Sequence, residues 1–404
     1  MNDIIKINQT DYIKGAIYGS AIGDALGLAT EFMKKEEVDK YYPNIDIFKY
    51  EDIYQDFHRK TWKKGDWTDD TDQMLVIMKT IIESSNKDNQ SNKDNQSNKN
   101  NSIIDINKFS VNLIDWINNG IPECEDTKSY GVGNTIDIFW GDKYAKTNPY
   151  LAGIRSYVYN PFYPLSNNSN GSIMRSSIIG TFHSNSLDIV MKNTINICRV
   201  THPSPMCVLS SLIITYIIAQ LIENKDRSIE FIINLFESSI TYTTPIITKY
   251  IMDLENEIID LENNLKNTID NIDEMKDIIL TNIKNYFNKF RQQNKLNNLI
   301  NEVDKCMYID VIENVDLQNN MGYTLNPLRC ATYALRKINS GMKFEEILST
   351  IIKQGGDADT NCTVAGAVLG AYLGKSNIPK YYIDNLVYKE YLDKKVEEYI
   401  NFLQ

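Results

Sequence analysis

Much is missing from this sequence that other classes of protein would need. The 404 residues include only three histidines. The six cysteines, Cys124, Cys198, Cys207, Cys306, Cys330 and Cys362, contain no C-x-x-C pair, so neither a zinc ribbon nor a disulfide framework is indicated. Lysine and arginine number 42 against 53 aspartates and glutamates, a net charge of −11. Without a basic excess the chain is not expected to bind nucleic acid, although a small anion in a local pocket stays open. No run alternates apolar and polar residues in the manner of a strand. The first residues, MNDIIKINQTDYIK, lack the basic, apolar and small-residue pattern of a secretory signal. The most apolar stretch, Met206 to Ile222, is short of the roughly 20 residues of a membrane span and carries Ser210, Ser211, Thr215 and Gln220. It reads as a buried helix, and the chain as cytoplasmic with no membrane partner.

What is present is ordinary globular composition, 42% hydrophobic and 24% charged, in patterns that are overwhelmingly helical. The expected class is all-α, a compact multi-helix domain over residues 1–404 with two insertions. One, 86–102, is the polar repeat NKDNQSNKDNQSNKNNS, which has no apolar residue to bury and reads as a disordered loop between two helices. The other, 251–305, begins with apolar residues at Ile251, Leu254, Ile258, Leu261, Leu265, Ile272, Met275 and Ile279, a heptad seam. Packing on the body of the same chain is the favoured reading; a partner or self contact through 251–290 is the other. From Thr10 to Phe32 a helix is expected, with Gly15, Gly19, Gly23 and Gly27 forming a row along one face where another backbone can approach closely. Asp72 to Glu83 and Thr363 to Leu373 read as further helices.

Two clusters carry oxygen ligands to the start of a helix. In GDWTDDTDQM, Gly65 to Met74, these are Thr68, Asp69, Asp70 and Asp72; in QGGDADTNC, Gln354 to Cys362, they are Asp357, Asp359 and Thr360 after Gly355 and Gly356. A helix cap needs one such residue, worth about 1 kcal/mol. Adjacent carboxylates repel, so a bound cation accounts better for the excess. An EF-hand loop fails: counting from Asp357, position six is Cys362 instead of glycine and position twelve is Val368 instead of glutamate. The D-x-D-x-T string also fits a haloacid-dehalogenase-type phosphatase loop, but the residues before it make a poor strand end. Hard oxygen donors suit Mg²⁺, with Mn²⁺ as a substitute, and together the clusters are enough for two ions.

Five segments in order, GAIYGSAIGDALGLATEF (Gly15 to Phe32), GDWTDDTDQM, NGSIMR (Asn170 to Arg175), VTHPSP (Val200 to Pro205) and GGDADTNC, resemble the ADP-ribosylglycohydrolases over nearly the whole chain outside the insertions. The resemblance implies an all-helical fold, a binuclear magnesium centre and a cleft for ADP-ribose. It implies hydrolysis of the glycosidic bond joining ADP-ribose to a protein side chain or small acceptor, with free ADP-ribose as product. Position by position it assigns Thr68, Asp69, Asp70, Asp357, Asp359 and Thr360 to the metals. Glu31, with Asp69 and Asp70, falls to the catalytic set. Asn170, Gly171, Ser172, His202, Gly355 and Gly356 are assigned to the ligand. Asp24 reads as a buried hydrogen-bonded group, Arg175 as the partner of a phosphate or, the favoured reading, of a neighbouring carboxylate, and Phe162 and Tyr163 as core or adenine-stacking residues. His58 and His183 receive no role. Two alternatives stay open: an inactive, ADP-ribose-binding or structural member of the family, and a phosphatase or phosphodiesterase on the same metals.

Overall fold

The computed structural model describes residues 2–86, 102–160, 167–266 and 294–404. The polar repeat from 87 to 101, the seam positions Ile272, Met275 and Ile279, and Phe162 and Tyr163 lie outside the described residues. The fold is all-α: the described residues form no strand, only isolated bridges at Met33–Gly356 and Ser169–Tyr323. The longer helices are α1 (Asn2–Gly27), α2 (Asp69–Asn86), α3 (Ile106–Asn119), α4 (Pro149–Val158), α5 (Leu187–Thr201) and α6 (Pro205–Glu223). They continue with α7 (Ile229–Lys266), α8 (Asn294–Cys306), α9 (Leu325–Asn339), α10 (Phe344–Ile352), α11 (Ala358–Leu373) and α12 (Lys389–Leu403).

Helices α1 and α11 run antiparallel through the centre, packed together from Gly15 to Gly27 of α1, with α9, α10 and α6 around them. The glycine row explains their closeness. A Cβ built on Gly15 would lie 2.1 Å from the Gly370 carbonyl oxygen, one on Gly19 2.1 Å from that of Gly366, and one on Gly23 1.9 Å from that of Cys362. These are backbone-to-backbone contacts that any side chain would block. Every residue of α11 from Ala358 to Ala371 is buried, as a helix enclosed on all sides must be. The apolar α6 is enclosed too, with 94% of its membrane-length window buried inside the protein. The upper part of the heptad seam packs within the chain: Ile251, Leu254 and Ile258 of α7 are buried, against α6, α8 and α9.

The first helix begins and ends earlier than its pattern, at Asn2–Gly27 instead of Thr10 to Phe32. It ends at Gly27, and Leu28 to Met33 form a turn. The reason is competition for the last carbonyls. The buried Arg59 donates through Nε to the carbonyls of Leu28 and Ala29 at 2.8 and 2.9 Å, and through a terminal nitrogen to that of Glu31. The Thr30 hydroxyl donates to the Ile352 carbonyl at 2.6 Å. The turn is thereby tied to α10 and to the segment that precedes α11.

Gly19→Ala and Gly366→Ala are each expected to destabilise the fold by about 3 kcal/mol or more, since neither backbone can retreat. Gly141→Ala, where a Cβ meets nothing closer than 3.4 Å, should stay within about 0.5 kcal/mol of wild type. Denaturant unfolding of the three variants measures the contrast.

Candidate active site

The helix pair decides where the acidic residues meet. The C-terminal end of α1 faces the N-terminal end of α11, and α2 begins beside both. Asp24, in the last turn but one of α1, is fully buried, and its carboxylate caps α2. Its Oδ1 accepts the Thr68 N–H at 3.0 Å and the Thr68 hydroxyl at 2.9 Å. Its Oδ2 accepts the Thr71 N–H at 2.9 Å and the Thr71 hydroxyl at 2.6 Å. The expectation of a hydrogen-bonded buried group is met, and the consequence is local: with the cap supplied from α1, the acids of α2 itself are released. Asp72 goes to structure, accepting the indole N–H groups of Trp67 and Trp116, each at 3.0 Å. Asp69 and Asp70 turn to a cavity of about 400 Å³.

That cavity is lined by Glu31, Phe32, Asp69, Asp70, Asp357, Asp359 and Thr360 together with Asn170, Gly171 and His202. Its remaining wall is neutral, from Gly133 to Ile136, Asn167, Ser169, Met174 and Gly322. Thr68, Ser172, Gly355 and Gly356 do not line it. Thr68 is held on Asp24, with its hydroxyl 3.4 Å from Asp359 Oδ2. Ser172 is buried behind its loop, accepting from the Ser211 hydroxyl at 3.3 Å. Gly355 and Gly356, at φ of 66° and 73°, serve a close approach: a Cβ on either would lie 2.3 and 2.2 Å from the carbonyl oxygens of Met33 and Leu317. Through them the Glu31 turn is sewn to the DADT segment, Phe32 N–H to Gly356 O at 2.6 Å and Gly356 N–H to Met33 O at 2.9 Å. This seam holds Phe32 at φ 61°, a left-handed conformation that costs a bulky residue about 1–2 kcal/mol.

Two triads offer carboxylate oxygens all within 4.8 Å of one another: Asp24, Asp70 and Asp359, and Glu31, Asp357 and Asp359. Asp359 belongs to both. Burial raises the pKa of each of these carboxyls, Asp24 to about 6, and mutual repulsion raises those of Asp70, Asp359 and Glu31 further. Compensation is thin. Asp357 accepts from the Asn170 amide at 2.7 Å, Glu31 is paired with His58 Nε2 at 2.7 Å, and Asp70 Oδ1 accepts from the Thr360 hydroxyl at 3.3 Å. Asp70 Oδ2 and Asp359 Oδ1 are buried with no hydrogen-bond partner. Two orphaned carboxylate oxygens among hard oxygen neighbours fit a divalent cation of the Mg²⁺ or Mn²⁺ kind. The six cysteines are buried outside both triads. Asp24 is the least available ligand, because both of its oxygens already accept two hydrogen bonds.

On the far wall a chain of side chains orients His202. The buried Arg175 donates to Gln73 Oε1 and to the Thr201 hydroxyl, each at 2.6 Å, and lies over the Phe109 ring. The carboxylate expected for Arg175 is therefore corrected to an amide and a hydroxyl. Gln73 itself donates to Asp69 Oδ2 at 2.8 Å, so arginine and carboxylate communicate through an amide that α2 places between them. The Thr201 oxygen, which accepts from Arg175, lies 2.7 Å from His202 Nδ1, and His202 Nε2 lies beside Gly171. Burial, then the Arg175 charge, holds the His202 pKa well below its usual value. The imidazole faces the cavity.

Two residues without a sequence signal complete the site. Arg59 holds the turn that carries Glu31, and His58 holds the Glu31 carboxylate itself. Both come from the irregular segment before GDWTDDTDQM, where no helical period marks them.

Divalent cation is expected to raise the melting temperature of the wild type, as any ligand of the folded state does, and Asp359→Asn should abolish the shift. In chelator the order reverses. A carboxyl with a raised folded pKa binds more protons in the folded state, so its stabilising effect is greatest below the unfolded value near ~4 and is lost as pH rises through the shifted values. Asp359→Asn should therefore melt above the wild type at pH 8, with the gap closing toward pH 4. Calorimetric scans in chelator across that range test the sign.

The profile of the ADP-ribosylglycohydrolase family matches residues 6–403. ADP-ribosylarginine hydrolase Tri1 of Serratia proteamaculans is 21% identical over 402 residues, covering 96% of this chain and 78% of that protein. An uncharacterized protein of Archaeoglobus fulgidus is 21% identical over 383 residues, 94% of this chain and 93% of its own. Among solved structures, an ADP-ribosylglycohydrolase-related protein complex shares the fold with a TM-score of 0.57 at 17% identity, over 98% of this chain and 99% of that one.

Proposed function

The chain belongs to the ADP-ribosylglycohydrolase family, and from that premise we propose that it hydrolyses the glycosidic bond between ADP-ribose and a modified protein side chain or small acceptor, releasing ADP-ribose. The observation that carries the reading is the pair of carboxylate triads sharing Asp359 beside a cavity whose lining is acidic at Glu31, Asp69, Asp70, Asp357 and Asp359 and otherwise neutral. Such a cavity has a cluster of carboxylates for chemistry and an uncharged remainder for a nucleotide.

Asp70, Asp357, Asp359 and Thr360, with Thr68 and Asp69 beside them, would hold two ions, Mg²⁺ or Mn²⁺. When bound, these supply Lewis acidity, lowering the pKa of water and fixing ribose hydroxyls. The protein's own groups do the rest. Water adds its oxygen to the anomeric carbon as the carbon–acceptor bond breaks, its electron pair leaving with the acceptor, which takes up a proton. Glu31 suits the proton transfer: its pKa is raised by burial and by Asp357, while His58 holds one oxygen and leaves the other to the substrate. The surrounding carboxylates stabilise positive charge developing on the ribose. His202 and the Asn170–Gly171 turn would bind the ribose or diphosphate.

Incubating ADP-ribosylated peptides with the protein should release intact ADP-ribose with Mg²⁺ and none in excess chelator, with products identified by mass. Glu31→Gln should lower turnover by about 10²- to 10⁴-fold while keeping the cation-dependent thermal shift. Release of AMP or phosphate instead would replace this reading by a phosphodiesterase or phosphatase; ADP-ribose binding without turnover would leave a reader of the modification.

A further inference from the structure

We propose that Phe32 is the acceptor-side specificity residue, its ring a platform for a planar, cationic acceptor: a guanidinium carrying ADP-ribose. The inference rests on the hydrolase reading above and names the acceptor for it.

Phe32 lines the cavity, yet it is 56% exposed. The core does not need the ring, and the backbone disfavours it: at φ 61° a glycine would sit there without strain. A large apolar side chain kept in a strained position, at the mouth of a polar cavity, is accounted for by something that arrives on its open face. The other face is backed. The Phe32 and His58 ring centroids are 5.1 Å apart, His58 lies edge-on to Trp62 at 5.2 Å, and His58 is bonded to Glu31 at 2.7 Å. The Phe32 amide is bonded to Gly356 O at 2.6 Å. Ring and Glu31 carboxylate are thus positioned by one assembly, and Glu31 belongs to one of the triads where the ribose bond would break.

The chemistry of this mouth selects among acceptors. A guanidinium attached to ribose keeps both its plane and its positive charge. The plane stacks on an aromatic face, and the charge is drawn to the ring and to the carboxylates behind it. A serine-derived acceptor has neither a plane nor a charge and gains nothing from the ring.

The test compares arginine-linked and serine-linked ADP-ribosyl peptides of otherwise identical sequence, with wild type, Phe32→Leu and Phe32→Tyr, alongside calorimetric affinity for free ADP-ribose. Leucine keeps bulk and loses the π face. It should lower kcat/KM on the arginine-linked peptide by roughly 3- to 30-fold, mainly through KM. The loss should exceed any change on the serine-linked peptide or in ADP-ribose affinity, and tyrosine should restore the activity. Wild-type turnover of the arginine-linked peptide with Phe32→Leu unaffected would overturn the platform and leave the hydrolase standing. Equal losses on both peptides, or a matching loss of ADP-ribose affinity, would overturn it too, by placing the ring against the nucleotide. So would turnover of the serine-linked peptide alone. Release of ADP-ribose by the wild type from neither peptide would overturn the hydrolase reading and the platform together.

Discussion

Helices α1 and α11 touch backbone to backbone, and the site depends on that contact. Because they are antiparallel, Gly15 meets Gly370 at one end and Gly27 meets Ala358 at the other. The end of α1 is therefore delivered to the beginning of α11. Asp24 comes from the first and Glu31 from the turn after it, Asp359 and Thr360 from the second and Asp357 from its N-cap, and Asp359 lies within a few ångströms of the Asp24 carboxylate and of those of Glu31 and Asp357. A side chain anywhere in the glycine row would part the helices and, with them, the two halves of the carboxylate cluster. The glycines cost helix propensity, about 1 kcal/mol each. That cost is offset by burying α11 and the part of α1 from Gly15 onward.

A cluster of this kind works against the fold that contains it. Carboxylates buried side by side with few donors repel each other, and their raised pKa values record it. Two features make it tolerable. The N-termini of α2 and α11 both begin at the cluster, so the positive ends of two helix dipoles face it. The second feature is economy: α2 is capped by Asp24 from another helix, so Asp69 and Asp70 need not be spent on the cap. A bound cation would relieve the remaining repulsion, and the carboxylate oxygens without a hydrogen-bond partner are those open to it.

Around this centre, orientation is passed along short chains of side chains. Asp69, Gln73, Arg175, Thr201 and His202 form one such chain, which leaves His202 neutral and aimed at the cavity. Arg59 and His58 form another, which fixes the turn and then the carboxylate of Glu31. Each joins segments far apart in the sequence, and each determines a protonation state or a direction instead of merely a location.

The sequence by itself determined the helical class, the glycine row and its purpose, the burial of Asp24, and the two acidic clusters as candidate cation ligands. These are readable because period, small-residue spacing and excess charge at a helix start are local properties with local physical causes. Tertiary structure alone decided which oxygens converge. Asp72, in the same cluster as Asp70, is turned away to two tryptophans. Gly355 and Gly356 are packing positions behind the cavity wall instead of part of it. Arg175 meets an amide and a hydroxyl where a carboxylate was expected. Glu31, which a helix-end reading would put in solvent, is buried because Arg59 ends the helix early and folds the chain back. His58 acquires its partner by the same fold-back. A hydrogen bond between residues distant in the chain leaves no periodic trace, since either partner alone looks like any polar residue; only the packing that brings them together gives it meaning.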